Sequence, residues 1–355
     1  MRIFVVLNGQ EDNIGDVVLR RYHLQALARL GEVHAFVPHV SDNFRASLTQ
    51  GTDTIVHVDR KQWMAKALQS IGDDGWILSY NSGEFQCAYP STRWFLPLSM
   101  VGRYAQMRGG KVVMTGLGTR DDKKPWKYLV QQAARAADFV SWRDSVTSDL
   151  MRRGSQGIDW GFKRGAESLP LHDCKRSTLA VTFRADRALP TPEHLEAVNR
   201  FAASRGLRVT PFAQVRRDNE SARHLADYFQ TDPLLWPDST SHADQEDAVR
   251  SLFSESAMVL SDRLHALIIG TAEGAVPVGV VHGPDQKINR HFTLPLFEEA
   301  GLVRPAVNVN DLSPDQLADR LAEQLDLQPR MRGIATAASD RVDLMEREMN
   351  GAVLR

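Results

Sequence analysis

Short apolar or β-branched runs alternate along the chain with amphipathic stretches of a dozen or more residues, the pattern of a parallel sheet flanked by helices. In the first half the runs fall at 2–7, 32–37, 54–58, 76–80, 111–115 and 139–142, with helices expected in the gaps, most clearly at 16–30 and 93–108. The alternation then pauses. Residues 154–177 are rich in Gly, Ser and charge and carry neither period, so they read as the junction between two domains. A second series follows, with strands expected at 178–183, 207–212, 256–260 and 276–281 and helices near 191–205, 217–229 and 244–253. Residues 313–350 read as two charged amphipathic helices, the first capped by Ser313. The predicted fold class is α/β, two Rossmann-like lobes facing a central cleft. The N-terminal lobe would span 1–160, a linker 161–177, the C-terminal lobe 178–330 and a C-terminal helix 331–355.

A length of 355 residues agrees with two domains. Hydrophobic residues make up 43% and no run approaches the roughly 18 apolar residues of a membrane span, so a soluble protein is expected. The apolar run near the N-terminus is too short for a signal peptide, which points to the cytoplasm. Cys87 and Cys174 are far apart and lack ligand spacing, so neither a disulfide framework nor a metal site is expected, and no cofactor. A formal charge of −1 argues against a nucleic-acid partner but leaves room for a local anion site.

In open parallel sheets ligands bind where loops leave the carboxyl ends of strands. There the stretch SDRLHALIIGTAEGAVPVGVV, residues 261–281, has an unusual charge order. If Ser261 caps a helix, Arg263 and His265 place cations at its positive end, which costs about 0.3–1 kcal/mol each unless an anion binds there. The alternative is that Arg263 pairs with a nearby acid and His265 is an ordinary, partly buried residue; Asp262 reads as a simple helix-start acid. Both readings of Arg263 and His265 stay open at this level.

The first loop, NGQEDNIGD, offers Asn13 to a ligand, Gly15 for a tight turn and Asp16 as a helix cap, but ordinary turn chemistry also explains it. It has no GxGxxG and no P-loop lysine. SYNSGEF places Asn81, Ser82, Gly83 and Glu84 at the next exit, and TGLGTR adds Gly116, Gly118 and Arg120. In the second lobe VTFRADR ends a strand with Arg184, a surface residue or a second anion clamp; TPFAQVRRDNE supplies Gln214 and Asp218, and Lys287 would extend a positive rim.

SDRLHALIIGTAEGAVPVGVV followed by DQKI resembles the C-terminal signature of the polysaccharide pyruvyl transferase family, whose members share S/T-x-R-L-H, an apolar helix, a G-x-P-V strand and a lysine-containing turn. DNIGD, SYNSGEF, TGLGTR, SWRDSVTSDLMRRG and IDWGF fit the same family in the same order, over about residues 1–290. NSG stands where a Gly-Gly pair is usual, and TGLGTR lacks the usual Gln and Gly-Pro. The resemblance implies a fold similar to GT-B glycosyltransferases and transfer of enolpyruvyl carbons from phosphoenolpyruvate onto two sugar hydroxyls. It places Arg263, Leu264, His265, Arg184 and Lys287 at phosphoenolpyruvate, with His265 as acid. Asn13, Gly15, Asp16, Asn81, Ser82, Gly83 and Glu84 are then expected on the acceptor side, and Asp16, Glu84 or Asp218 as base. The acceptor would be a sugar or lipid-linked oligosaccharide, and residues 94–111, aromatic, apolar and basic, would rest on the inner membrane face or pack as an ordinary helix. A nucleotide-sugar glycosyltransferase and a non-catalytic carbohydrate-binding relative are the alternatives.

Overall fold

The computed structural model describes residues 1–38, 40–73, 75–88, 95–119, 122–171, 176–281 and 306–355. The chain packs into two compact units. Met1–Glu11, Asp16–Trp160 and Asp340–Arg355 form the first; Asp12–Gly15 and Gly161–Ser339 form the second.

In the first unit the strands are β1 (Arg2–Val6), β2 (Glu32–Phe36), β3 (Ile55–His57), β4 (Trp76–Ser79), β5 (Gly83–Phe85), β6 (Lys111–Thr119), β7 (Phe139–Trp142) and β8 (Ser155–Gln156). They form one parallel sheet in the order β3-β2-β1-β4-β6-β7-β8, with β5 alongside β6. Helices α1 (Ile14–Ala28), α2 (Asp42–Thr49), α3 (Arg60–Gln69), α4 (Phe95–Gln106), α5 (Trp126–Ala136) and α6 (Ser145–Met151) connect them. β1 is central, and Ile3, Phe4 and Val5 are fully buried, as expected of a strand covered on both faces. Asp59 and Asp144 start α3 and α6 by accepting hydrogen bonds from backbone N–H groups of the first turn. The strand order reverses between β1 and β4, so the loops beside them are the expected ligand edge.

Two stretches read as strand exits are themselves strand. β6 continues through TGLGT to Thr119 because Gly116, at φ +66°, makes a bulge that shifts the register against β7. Its extended half then pairs with β5, Gly83 to Leu117 and Glu84 to Gly118. Glycines that suggested a turn serve a bulge instead.

The second unit holds a five-stranded parallel sheet of β9 (Thr178–Thr182), β10 (Arg208–Pro211), β11 (Ser256–Ser261), β12 (Val276–Val281) and β13 (Ala306–Asn308), in the order β10-β9-β11-β12-β13. Its helices are α7 (Pro192–Arg205), α8 (Asn219–Phe229), α9 (His242–Glu255), α10 (Leu264–Ala272) and α11 (Pro314–Leu325). Ser313 caps α11 in a reciprocal capping box with Gln316. A final helix, α12 (Met331–Val353), begins in this unit and ends in the first, where Glu346 accepts two hydrogen bonds of 2.6 Å from Arg29. α10 is buried from Ala266 to Ala272, which accounts for its uncharged sequence: a helix covered all round can be apolar all round.

The stretch read as a linker belongs to the second unit and is tied to it at its middle and its C-terminal end. Leu169 N–H donates to Glu273, and Arg176 donates to the carbonyls of Phe253, Ser256 and Glu273.

Candidate functional site

The candidate anion site lies at the carboxyl edge of the second unit's sheet. β11 runs through Ser261, whose Oγ accepts the Arg263 N–H at 2.8 Å. Ser261 therefore shapes the turn rather than capping the helix: Arg263, with extended backbone, occupies the N-cap position, and Leu264 and His265 open the first turn of α10. Arg263 is buried, and its Nε and Nη2 each donate at 2.7 Å to the two oxygens of buried Asp218. The cation that looked exposed in the sequence has a carboxylate partner.

The same aspartates fix the loop after β9. Asp218 Oδ1 also accepts the Ala185 N–H at 3.0 Å, and Asp262 Oδ1 accepts the Arg184 N–H at 2.9 Å. Asp262 is thus more than a helix-start acid, because it ties the ends of β9 and β11 together. Arg184 turns its Nε and Nη2 onto Asp186, at 2.7 and 2.6 Å, while Arg187 stands 3.9 Å from Asp262. The Arg184 hydrogen bonds hold the Asp186 carboxyl below the usual carboxylate range, and the same contact raises the Arg184 pKa. Three arginines and three aspartates alternate around one strand edge. Asp186, at 53% side-chain exposure, is the most accessible of these carboxylates.

Asp12–Gly15 belongs to this unit. Its backbone pairs with the segment after β10, Ile14 N–H to Gln214 O at 3.3 Å and Arg216 N–H to Asp12 O at 2.8 Å. Asn13 Oδ1 accepts from Gly15 N–H at 3.0 Å and, at the 3.5 Å limit, from Gln214 Nε2. A β-carbon on Gly15 would sit 2.4 Å from that of His265, so only glycine fits. Gly15, expected on the acceptor side with Asn13, packs against His265, and Asn13 bonds to Gly15. Lys287, Arg120 and Cys174 lie outside the described residues.

At the carboxyl edge of the first unit, Asn81 is locked by Asn8 and Arg20. Its Oδ1 accepts from Arg20 Nε at 3.1 Å and its Nδ2 donates to Asn8 O at 3.0 Å. Arg20 also pairs with Asp16 at 2.8 Å, and the other Asp16 oxygen accepts the Gln10 N–H. Asp16 stands in the first turn of α1 and is bonded to the preceding loop rather than capping the helix. Ser82 is buried, and Gly83, at φ +101°, turns the chain into β5.

Glu84, on β5, lies 3.5 Å from Arg143. Arg143 is fully buried, with Asp159 at 3.5 Å and Asp144 at 3.6 Å. Burial alone would lower its pKa; the Glu84, Asp159 and Asp144 charges outweigh that and raise it. A β-carbon on Gly118 would lie 2.2 Å from Arg143 Nε, so this glycine makes room for the guanidinium. Nearby His23 donates to or accepts from Ser79 Oγ at 3.0 Å and stacks on Trp160 at 5.5 Å. Burial, then the Arg20 charge, lowers its pKa to about 3.

Sequence reasoning missed Arg20, Arg143, Asp159, Asp186 and Arg187. Arg143 and Asp159 stood inside the quoted SWRD and IDWGF segments, so position beside a motif was the available signal.

Among the described residues no group of His, Cys, Asp and Glu is arranged to hold a metal ion, and no helix is long and apolar enough to cross a membrane. In fold the chain is similar to UGT2 of Phytolacca americana, solved with UDP-2-fluoro-glucose and pterostilbene, at 12% identity and a TM-score of 0.59 with all of both chains covered. It is also similar to a UDP-GlcNAc 2-epimerase from Neisseria meningitidis, at 11% identity and a TM-score of 0.56, again with all of both chains covered. The fold is α/β, of the class seen in GT-B glycosyltransferases and these epimerases. No curated protein matches it in sequence. The profile of one family, polysaccharide pyruvyl transferase, matches residues 13–284.

Proposed function

Because the chain belongs to the polysaccharide pyruvyl transferase family, we propose that it moves the enolpyruvyl carbons of phosphoenolpyruvate onto two hydroxyls of a sugar in a polysaccharide or glycan precursor, forming a cyclic pyruvate ketal and releasing phosphate. The observation that carries this reading is the arginine arrangement at the start of α10. Arg184 and Arg263 each grip an aspartate through Nε and Nη2, which leaves the Nη1 edge of each guanidinium to face another anion. Phosphoenolpyruvate carries a carboxylate and a phosphate on one carbon, so two arginine edges suit it. The N–H of Leu264, at the open end of the helix, adds a donor for an anion.

The aspartates divide the labour. Buried Asp218 keeps Arg263 aimed, whereas half-exposed Asp186 is the carboxylate that phosphoenolpyruvate displaces from Arg184.

In the first step His265, as imidazolium, delivers its proton to the methylene carbon while a sugar oxygen adds to the adjacent carbon. A base takes that hydroxyl's proton. In the second step another sugar hydroxyl adds to the same carbon as the phosphate leaves; its proton passes to His265, neutral after the first step, and the arginines offset the phosphate charge. Donor, two hydroxyls and products then balance as one methyl ketal and one phosphate. Asp16, Glu84 and Asp218, each paired with an arginine (Arg20, Arg143 and Arg263), are the candidate bases. The enzyme would act in the cytoplasm on sugar or lipid-linked precursors.

Phosphate release from phosphoenolpyruvate in the presence of candidate acceptors tests the reading. His265→Ala is expected to lower turnover about 10²–10⁴-fold while phosphoenolpyruvate still binds. Full turnover in that variant would remove histidine from the mechanism. Release of UDP from a UDP-sugar, with no response to phosphoenolpyruvate, would make the chain a glycosyltransferase; binding without release would make it a carbohydrate- or anion-binding protein.

A further inference from the structure

α4 buries Phe95, Leu98, Gly102 and Ala105 against its sheet and turns the opposite face outward. Leu96, Met100, Tyr104 and Met107 lie on that outer face at 54%, 66%, 43% and 76% exposure. At about 100° per residue they span an arc of about 80°, so the four side chains form one stripe. Arg103, also exposed, lies about 20° beyond the Leu96 edge of this arc, and the Arg108 guanidinium stacks over Tyr104 at 5.4 Å. The neighbouring helix α5 presents Tyr128, 47% exposed, with the ammonium groups of Lys124 and Lys127 6.0 and 5.9 Å from its ring.

The charge here is lopsided. Residues 95–136 contain eight Lys or Arg and two Asp, in a chain whose formal net charge is −1. Neither α4 nor α5 contains an acidic residue. Lys127, 15% exposed, stands 3.9 Å from Asp122 and Lys111 3.9 Å from Asp138, so the positive charge of the face rests on the exposed Arg103, Arg108, Lys123 and Lys124.

We propose that this face docks the protein on an anionic lipid bilayer. Flexible Leu and Met side chains enter the acyl boundary, tyrosines sit at headgroup depth, and Arg and Lys meet the lipid phosphates, each base contributing about 1 kcal/mol near an anionic surface. A second copy of the chain fits poorly, since a two-fold contact through this face would set two basic surfaces against each other. The face also adjoins the first unit's ligand edge: Phe95, at the start of α4, packs on Phe85 at 5.6 Å, and Phe85 follows Glu84 on β5. A docked enzyme would meet a lipid-linked acceptor next to these residues. That last link rests on the transfer reading; the docking does not.

The test is co-sedimentation of the full chain with phosphatidylglycerol-containing vesicles beside pure phosphatidylcholine vesicles, without phosphoenolpyruvate or acceptor. Binding is expected only to the anionic vesicles, weakening with salt and falling at least about tenfold in Met100→Ser/Met107→Ser and in Lys123→Glu/Lys124→Glu. All four side chains are exposed, so both variants should keep the wild-type melting temperature. No binding to anionic vesicles, or equal binding by the variants, overturns the proposal. So does a concentration-dependent dimer in sedimentation velocity that Met100→Ser/Met107→Ser disperses. None of these outcomes depends on turnover, so docking and the transferase reading fail separately.

Discussion

Arg143 in the first unit and Arg263 in the second are both buried beside carboxylates, but they are held differently. Arg143 is enclosed by Glu84, Asp144 and Asp159 at 3.5 to 3.6 Å. Arg263 makes a single side-on pair at 2.7 Å and sits next to Arg184, whose partner Asp186 is half exposed. In the first arrangement the buried charges of Arg143, Asp144 and Asp159 are part of the packing, and removing one leaves others stranded. In the second, one carboxylate can be exchanged for an incoming anion without opening the core. A cluster of arginines becomes a binding site only where one partner can be replaced.

The largest effect should come from breaking the enclosed cluster. Arg143→Met is expected to destabilise the protein by about 3–5 kcal/mol, read from urea unfolding, because it leaves buried carboxylates unpaired. Phosphoenolpyruvate affinity of the folded variant should match wild type. A loss under about 1 kcal/mol would mean that Arg143 is not structural, and the contrast would fail.

On the second unit, Gly15→Ala pushes a methyl group into the His265 β-carbon. Turnover should drop about 10²-fold from misplacement of the imidazole, measured as steady-state phosphate release. Unchanged turnover would show that His265 tolerates displacement and is not the proton donor. Asp186→Asn sharpens the comparison in the other direction. With the competing carboxylate gone, phosphoenolpyruvate should bind roughly tenfold tighter by calorimetry. Weaker binding would make Asp186 a positioning residue for Arg184.

A pH-dependent effect concerns His23. It stays neutral in the fold with its pKa lowered from 6.5 to about 3, so the unfolded chain binds the extra proton between those values. Stability is therefore retained above pH 6.5 and lost as pH falls, by about 1.4 kcal/mol per pH unit across that window. His23→Gln should flatten this dependence in denaturation at pH 7, 5 and 4. An equal slope in both proteins would assign the acid sensitivity elsewhere.

Much of this architecture was readable in one sequence because parallel strands and a fully covered helix leave long apolar signals. β11, α10 and β12 fall within the run from Ser256 to Val281, since their apolar residues are buried almost throughout. The end of β6 was misread because Gly116 and Gly118 have two uses, turn or bulge, and only the pairing with β5 and β7 decides between them. The helix start was misplaced by two residues: an N-cap serine and a strand-end serine look alike until the backbone of Arg263 is seen to be extended. The ion pairs were illegible for a different reason. Arg263 finds Asp218 45 positions away, and Arg143 finds Glu84 59 positions away, so the partners are set by strand order rather than by local pattern.

Arg184 offers the most direct test of the central claim, because Arg184→Gln leaves only a half-exposed aspartate behind and no buried charge unpaired. Calorimetric titration of phosphoenolpyruvate, UDP-glucose and GDP-mannose into the wild type and this variant is the measurement. The account predicts binding of phosphoenolpyruvate alone, weakened at least about tenfold in the variant with no change in melting temperature. Equal phosphoenolpyruvate affinity in both proteins, or binding of a nucleotide sugar instead, would contradict it.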